Sequence, residues 1–129
     1  MLASWVSQAS FSPPGLSIAV AKDRSVESLL QIGDSFALSI LSEKDFNEPL
    51  KRFTRPFAPG EDRFEGLEVE LTPNEQIIIP ASLAWLDASV KERMECGDHW
   101  VIYAEVQHGN ILKSDCLTAV HHRKTGANY

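Results

Sequence analysis

The chain has 129 residues, of which 43% are hydrophobic and 23% charged, and it carries a formal net charge of −6. That length suits one domain (residues 1–129) with a core that needs neither disulfides nor a metal. The acidic balance argues against non-specific nucleic-acid binding, which depends on basic stripes. No apolar run approaches the ~20 residues of a membrane helix. The start, MLASWVSQAS, shows no basic region ahead of its apolar residues, unlike a secretory leader. The expected location is therefore cytoplasmic. Cys96 and Cys116 share no metal-type spacing and are read as reduced thiols.

In chain order, SFSPPG forces a turn, and LSIAVA (residues 16–21) reads as a short buried strand. Ser25 or Asp23 can then cap a helix in which Val26, Leu29 and Leu30 share a face and which Gly33 ends. SFALSIL (residues 35–41) returns as a strand. Phe46, Leu50 and Phe53 stand at helical spacing. Pro49 cannot donate in a helix interior, so that helix is expected to start near Asn47 or to bend there. The stretch TRPFAPGEDRFEGLEVELTPNEQ is a long excursion with proline and glycine punctuation. Such loops are usually functional or pinned at an interface.

SLAWLDASVKERMEC then reads as a long strand alternating Leu86, Ala88 and Val90 with polar residues. A Gly-Asp turn suited to a hairpin leads into HWVIYAEVQ, where Trp100, Ile102, Ala104 and Val106 share one face. A second turn is expected at His108-Gly109-Asn110, followed by a last strand, ILKSDCLTAV. Long antiparallel strands with tight turns and one or two short helices describe a closed β-barrel with helical insertions.

Without basic stripes, an anionic ligand could bind only at a local cluster of donors. Lys22 with Arg24 is one such cluster; Lys51, Arg52 and Arg55 form another that reads as a solvated face. His99 leaves a tight turn just before a buried-looking strand, a position where most histidines are solvated or satisfied by backbone. Trp5, Trp85 and Trp100 read as core or interface. His121 and His122, adjacent in an expected strand, point to opposite faces and cannot chelate one metal together. No metal site is expected.

The runs MLASWVSQASFSPPGLSIAVA, FALSILSE, LKRF, DRFEG, LAWLDASV and GDHWVIYAEV, in this order and spacing, resemble the flavin reductase-like domains of FMN-binding split-barrel fold. ASWVSQASFSPPG, VAKDR and LTAVHHRKTG are most similar to the C-terminal flavin reductase module of cyanobacterial flavodiiron proteins, whose other modules hold a di-iron site and a flavodoxin-like domain. The resemblance implies a mainly β split barrel with a few short helices. It also implies bound FMN, NADH or NADPH as electron donor, and a homodimer with the flavin near its interface. Electrons would pass to an oxygen-reducing partner module of a longer parent protein. Two departures stand out. The family carries a first barrel strand ahead of the M-x-A-S motif in which this sequence starts, so an N-terminal strand is expected to be missing. Leu2 and Trp5 replace the threonine and second serine of the usual M-T-A-S-S, which points to weaker flavin binding.

By the same resemblance, Ala3, Ser4 and Ser10 lie along the flavin, and His99 reaches toward the nicotinamide. Lys22, Arg24 and Ser25 precede the expected first helix, where cations, a hydroxyl and free amides can converge on the FMN phosphate. Asp23 would oppose that unless engaged as the cap, and an ordinary capped helix with exposed charges is the plainer alternative. Phe53, Phe57 and Phe64 either cover a flavin face or pin the long loop. Two further functions stay open: a non-catalytic dimerisation module, which Leu2 and Trp5 favour, and a stand-alone reductase releasing free flavin.

Overall fold

The computed structural model describes residues 1–119. In chain order they form β1 (Val6–Phe11), β2 (Pro14–Ala21), a 3-10 turn (Ser25–Leu29), β3 (Ser35–Ile40) and α1 (Asn47–Thr54). There follow β4 (Glu70–Leu71), β5 (Ile77–Ile78), β6 (Ala84–Cys96) and β7 (His99–Ile111). Five strands make an antiparallel sheet in the order β1-β2-β7-β6-β3, and β4 pairs with β5 separately. The edges β1 and β3 do not pair with each other among the described residues. The expected closed barrel is therefore open along that seam.

The period-two pattern decides which side is core. Leu16, Ile18 and Val20 of β2, Ala88 and Val90 of β6, and Ile102 and Ala104 of β7 are buried in one cluster, with Phe36 and Leu38 of β3 packed on it. Branched side chains alternating along a pleated strand pack well on such a face. β1 is different: its residues are exposed along almost their whole length.

The second helical expectation holds. Asn47 is the first residue of α1, and Leu50 N–H closes onto the Phe46 carbonyl at 2.9 Å. Pro49 thus falls in the first turn, where its missing N–H would have no intrahelical partner anyway. The first helix is reduced to a single 3-10 turn. Arg24 stands at its N-cap with no side-chain capping bond, so neither Ser25 nor Asp23 caps it. The chain must put Leu30 into the core and rejoin the sheet at once, with Gly33 N–H on the Val90 carbonyl at 2.9 Å. Only a short, tight turn fits between those anchors.

Two expectations near the end of the chain are corrected. His108-Gly109-Asn110 is not a turn: β7 runs through it, with Gly109 opposite Leu86. A Cβ on Gly109 would lie 2.9 Å from Leu86 Cδ2 and 3.1 Å from the Trp85 carbonyl oxygen. The glycine serves close approach of two strands beside a bulge at Asp87/Ala88, not chain reversal. The expected last strand is mostly irregular over its described part, joining the fold through a Ser42–Thr118 bridge and the Ala119 N–H on the Leu41 carbonyl at 2.8 Å. His121 and His122 lie outside the described residues.

Gly109→Ala should therefore destabilise the domain by about 1–3 kcal/mol, the usual cost of overpacking, lowering the melting temperature by roughly 3–12 °C. Thermal unfolding by circular dichroism measures it. A variant melting with the parent would show that Leu86 swings aside without cost.

Candidate functional site

At the end of β2 where its strand meets the tip of the β6–β7 hairpin, the fold leaves a cavity of about 170 Å³. The segment before β1 lies along it: Met1, Leu2, Ala3, Ser4 and Trp5 all line it. Ala19 N–H donates to the Trp5 carbonyl at 3.0 Å, which fastens that segment against β2. Ala19, Val20 and Ala21 contribute small or branched side chains, α1 contributes Leu50, Phe53 and Thr54, and Arg24 and His99 supply a charge and an imidazole.

His99 owes its place to the turn. Cys96 and His99 face each other across a two-residue connection in which Gly97 has φ +58°. A positive φ at the first central residue is what a tight II′-type hairpin demands, and glycine meets it without strain. The Lys22 N–H donates to the Asp98 carbonyl at 2.9 Å, tying the turn to the end of β2. The His99 side chain is only 14% exposed. Its Nδ1–H donates to the Asp98 carboxylate at 2.8 Å, which in the neutral ring leaves the lone pair on Nε2. The Trp5 ring lies 5.1 Å away, tilted by 33°. The histidine bond, and then the charge of His99, hold the Asp98 carboxyl below the usual carboxylate range.

Of the residues named from sequence, the structure brings Ala3, Ser4, Arg24 and His99 to one cavity, whereas Ser25, the residue after Arg24, does not line it. It does not bring Lys22 there. The Lys22 ammonium pairs with Glu95 across the hairpin and lies 5.4 Å from the Trp100 ring centroid. That hydrogen bond, and then the lysine charge, hold the Glu95 carboxyl low. Ser10 is also elsewhere. It sits opposite Gly15, while His99 sits opposite Ala21, six residues along β2 and roughly 20 Å at strand rise. There its hydroxyl donates to the Pro13 carbonyl at 2.6 Å and lies 3.1 Å from the Tyr103 hydroxyl.

The long loop folds over α1. Phe53 contacts Phe64 at 5.5 Å and Phe57 at 6.5 Å between ring centroids, so the three phenylalanines pin the loop. Arg52 donates to the Glu65 carbonyl at 2.6 Å, and Arg55 pairs with Glu61, whose carboxyl it holds low. Lys51 stays exposed beside Glu48. The cluster read as a solvated face thus mixes one exposed lysine with two arginines that brace the loop. The reading from sequence missed the α1 side chains as cavity walls, although Leu50 and Phe53 carry the spacing that shows it. It also missed Arg63, which reaches Ser25 from the loop. Among the described residues no three His, Cys, Asp or Glu stand together to hold a metal, and no helix is long and apolar enough to cross a membrane.

Comparison with known proteins agrees with this architecture. The flavin reductase like domain family matches residues 1–127. Diflavin flavoprotein A 1 of Synechocystis is 52% identical over the whole of this chain, which spans 22% of that protein. The chain thus covers about a fifth of the length of such curated relatives. Among solved structures, the NADH:FAD oxidoreductase SgcE6 of Streptomyces globisporus superposes with a TM-score of 0.80 at 24% identity, over 90% of this chain and 69% of that one. The flavin reductase HpaC, solved with NADP+, gives 0.74 at 18% identity over 88% and 69%.

The Asp98–His99 bond has a testable titration. A carboxyl with a depressed folded pKa stabilises the fold above its unfolded value and loses that contribution as pH falls through the folded one. An NMR titration should place the Asp98 midpoint below the ordinary ~3.9, and His99→Ala should return it toward that value. An Asp98 midpoint unmoved by His99→Ala would show that the bond does not form in solution.

Proposed function

Because the chain belongs to the flavin reductase-like domain family, we propose that it is the reductase module of a longer flavodiiron-type protein. In this reading it binds FMN along the Met1–Trp5 segment, takes a hydride from NADH or NADPH, and feeds electrons to an oxygen-reducing partner module. The observation that carries the reading is the convergence of Ala3, Ser4, Arg24 and His99 from three separate segments on one cavity.

The residues present fit the cofactor. Ala3, Ala19 and Ala21 put small side chains on the wall, and Ser4 and Arg24 add a hydroxyl and a cation to the same lining. The cavity itself, at about 170 Å³, is smaller than the roughly 300–1,000 Å³ of most ligand pockets. One chain therefore supplies part of a site, and a second copy of the chain is the proposed other wall. Trp5, Val6 and Phe11 are 47%, 40% and 85% exposed and are the apolar surface offered for that contact.

When bound, FMN supplies the redox chemistry, and the protein's part is binding and orientation. The Met1–Trp5 segment and the Leu50 and Phe53 side chains form the wall of the cavity. The Gly97-Asp98 turn presents His99 on a rigid mount. Asp98 holds its ring, so that His99 can orient a nicotinamide amide without touching the flavin. Positioning of this kind acts on rate more than on cofactor affinity.

A second reading is favoured by Trp5, whose indole occupies space directly beside His99. If that indole stays in place, the module binds flavin, or a second copy, and does not react with nicotinamide nucleotides.

Stopped-flow bleaching of protein-bound FMN by NADH and NADPH separates the two. His99→Ala should leave FMN affinity within about twofold and slow flavin reduction roughly ten- to a hundredfold, the scale of one lost positioning contact. FMN-loaded wild-type protein that neither nucleotide bleaches would establish the non-catalytic reading.

A further inference from the structure

The imidazole at the hairpin tip is covered. The His99 side chain is 14% exposed, and its Nδ1 is engaged by the Asp98 carboxylate at 2.8 Å. The Trp5 ring lies 5.1 Å from it between centroids, tilted by 33°, within the range where two aromatic rings attract each other. Trp5 and His99 line the same cavity, whose volume is only about 170 Å³. A second flat ring brought against His99 from that cavity therefore competes with the indole for space.

The walls differ in what they can yield. Ala19, Val20 and Ala21 belong to β2, which is paired with β7 from Gly15 to Ala21. Val20 is 1% exposed and part of the core. Leu50, Phe53 and Thr54 belong to α1. There Phe53 packs on Phe57 and Phe64, and the Thr54 hydroxyl donates to the Leu50 carbonyl at 2.6 Å. Displacing β2 or α1 disturbs the sheet or the loop packed on them. Trp5 stands outside both, one residue before β1. Its carbonyl accepts from the Ala19 N–H at 3.0 Å, which holds its backbone, while the residue as a whole is 47% exposed. Rotation about the side-chain torsions can carry the indole off His99 with that backbone bond intact, and half-exposed side chains change rotamer quickly.

We propose that Trp5 is a gate on the nicotinamide side of the site. Its indole rests against His99 in the free chain and swings out to admit the nucleotide. The proposal rests on the flavin-site reading given above and names what regulates that site. Only the open fraction binds nucleotide, so the apparent affinity is the intrinsic affinity reduced by that fraction. An aromatic contact of this kind holds the closed form in excess by roughly two- to tenfold. A covered His99 and a reactive one are then two positions of a single side chain.

Two measurements test the gate. The first is the nuclear Overhauser contact between the Trp5 indole and the His99 ring protons, followed in FMN-loaded wild-type protein as NAD+ or NADP+ is added. The contact should be present with FMN alone and disappear as the nucleotide saturates. This arm needs no variant, so it decides the matter even where a substitution fails to fold. The second is stopped-flow bleaching of bound FMN at subsaturating NADH or NADPH, with thermal melts confirming that each variant is folded. Trp5→Ser should bleach roughly two- to tenfold faster than wild type, and Trp5→Phe, which keeps a ring, should fall between them. A merely structural Trp5 predicts the reverse, a less stable variant that bleaches no faster. An indole contact that persists at saturating nucleotide, or Trp5→Ser bleaching no faster than wild type, overturns the gate and leaves the flavin-site reading intact. Loss of the contact on adding FMN alone also overturns it, because the indole then yields to the flavin. Wild type and Trp5→Ser that both bind FMN, yet are bleached by neither nucleotide, overturn the gate together with the reductase reading.

Discussion

The β6–β7 hairpin sets the geometry on which the remaining structure depends. Both strands have 13 residues, they pair from Ala84–Ile111 to Cys96–His99, and β7 carries β2 on its other side. Adjacent residues in a strand point to opposite faces. With Ile102 and Ala104 committed to the core, Trp100 falls on the core side and His99 on the other. A one-residue slip of this register would exchange them and empty the cavity of its imidazole. The two-residue turn at Gly97-Asp98 makes such a slip difficult.

Beneath the hairpin tip the barrel end is closed by charge rather than by hydrocarbon. Arg93, whose side chain is 8% exposed, pairs with Glu27 and stacks 4.4 Å from the Trp100 ring centroid. It faces inward because a bulge between Val90 and Glu92 shifts the alternation of β6. Lys22 and Glu95 pair alongside. The Arg93–Glu27 pair also fixes the 3-10 turn to the sheet, and with it the position of Arg24 and Ser25. Removing one partner would leave a buried charge without compensation, a large penalty. The same closure that stabilises the hairpin withdraws Lys22 from ligand binding, so stability and site composition are decided together.

A buried carboxylate does similar work at the far end. Asp87 is fully buried and lies 3.3 Å from the Asn74 N–H and 3.2 Å from its side-chain amide nitrogen. It ties the turn between β4 and β5 to β6 beside the bulge at Asp87/Ala88. The long connection between α1 and β6 is thus pinned at both ends: by Arg52 and three phenylalanines near α1, and by Asp87 near β6. Pinning at both ends allows an irregular segment to present Arg63 at a defined place.

The sequence by itself determined the local elements. The apolar run at residues 16–21 and the alternation at 86–90 and 100–106 marked three core strands. Pro49 placed the start of α1 at Asn47, the Gly-Asp pair placed the hairpin beside His99, and the order of motifs identified the family. These signals are legible because they depend on steric rules within a few residues. Only the tertiary structure decided what each group meets. Gly109 looks like a turn until Leu86 and Trp85 are seen pressed against it. Lys22 looks like a phosphate ligand until Glu95 competes for it, and Ser10 looks like a neighbour of Ser4 until the length of β2 separates them. Arg63 is legible only as part of the DRFEG run, and its approach to Ser25 is not legible at all. Contacts between residues far apart in the chain depend on strand order and loop path, and an ionic side chain goes to the nearest partner in space, which local spacing does not encode.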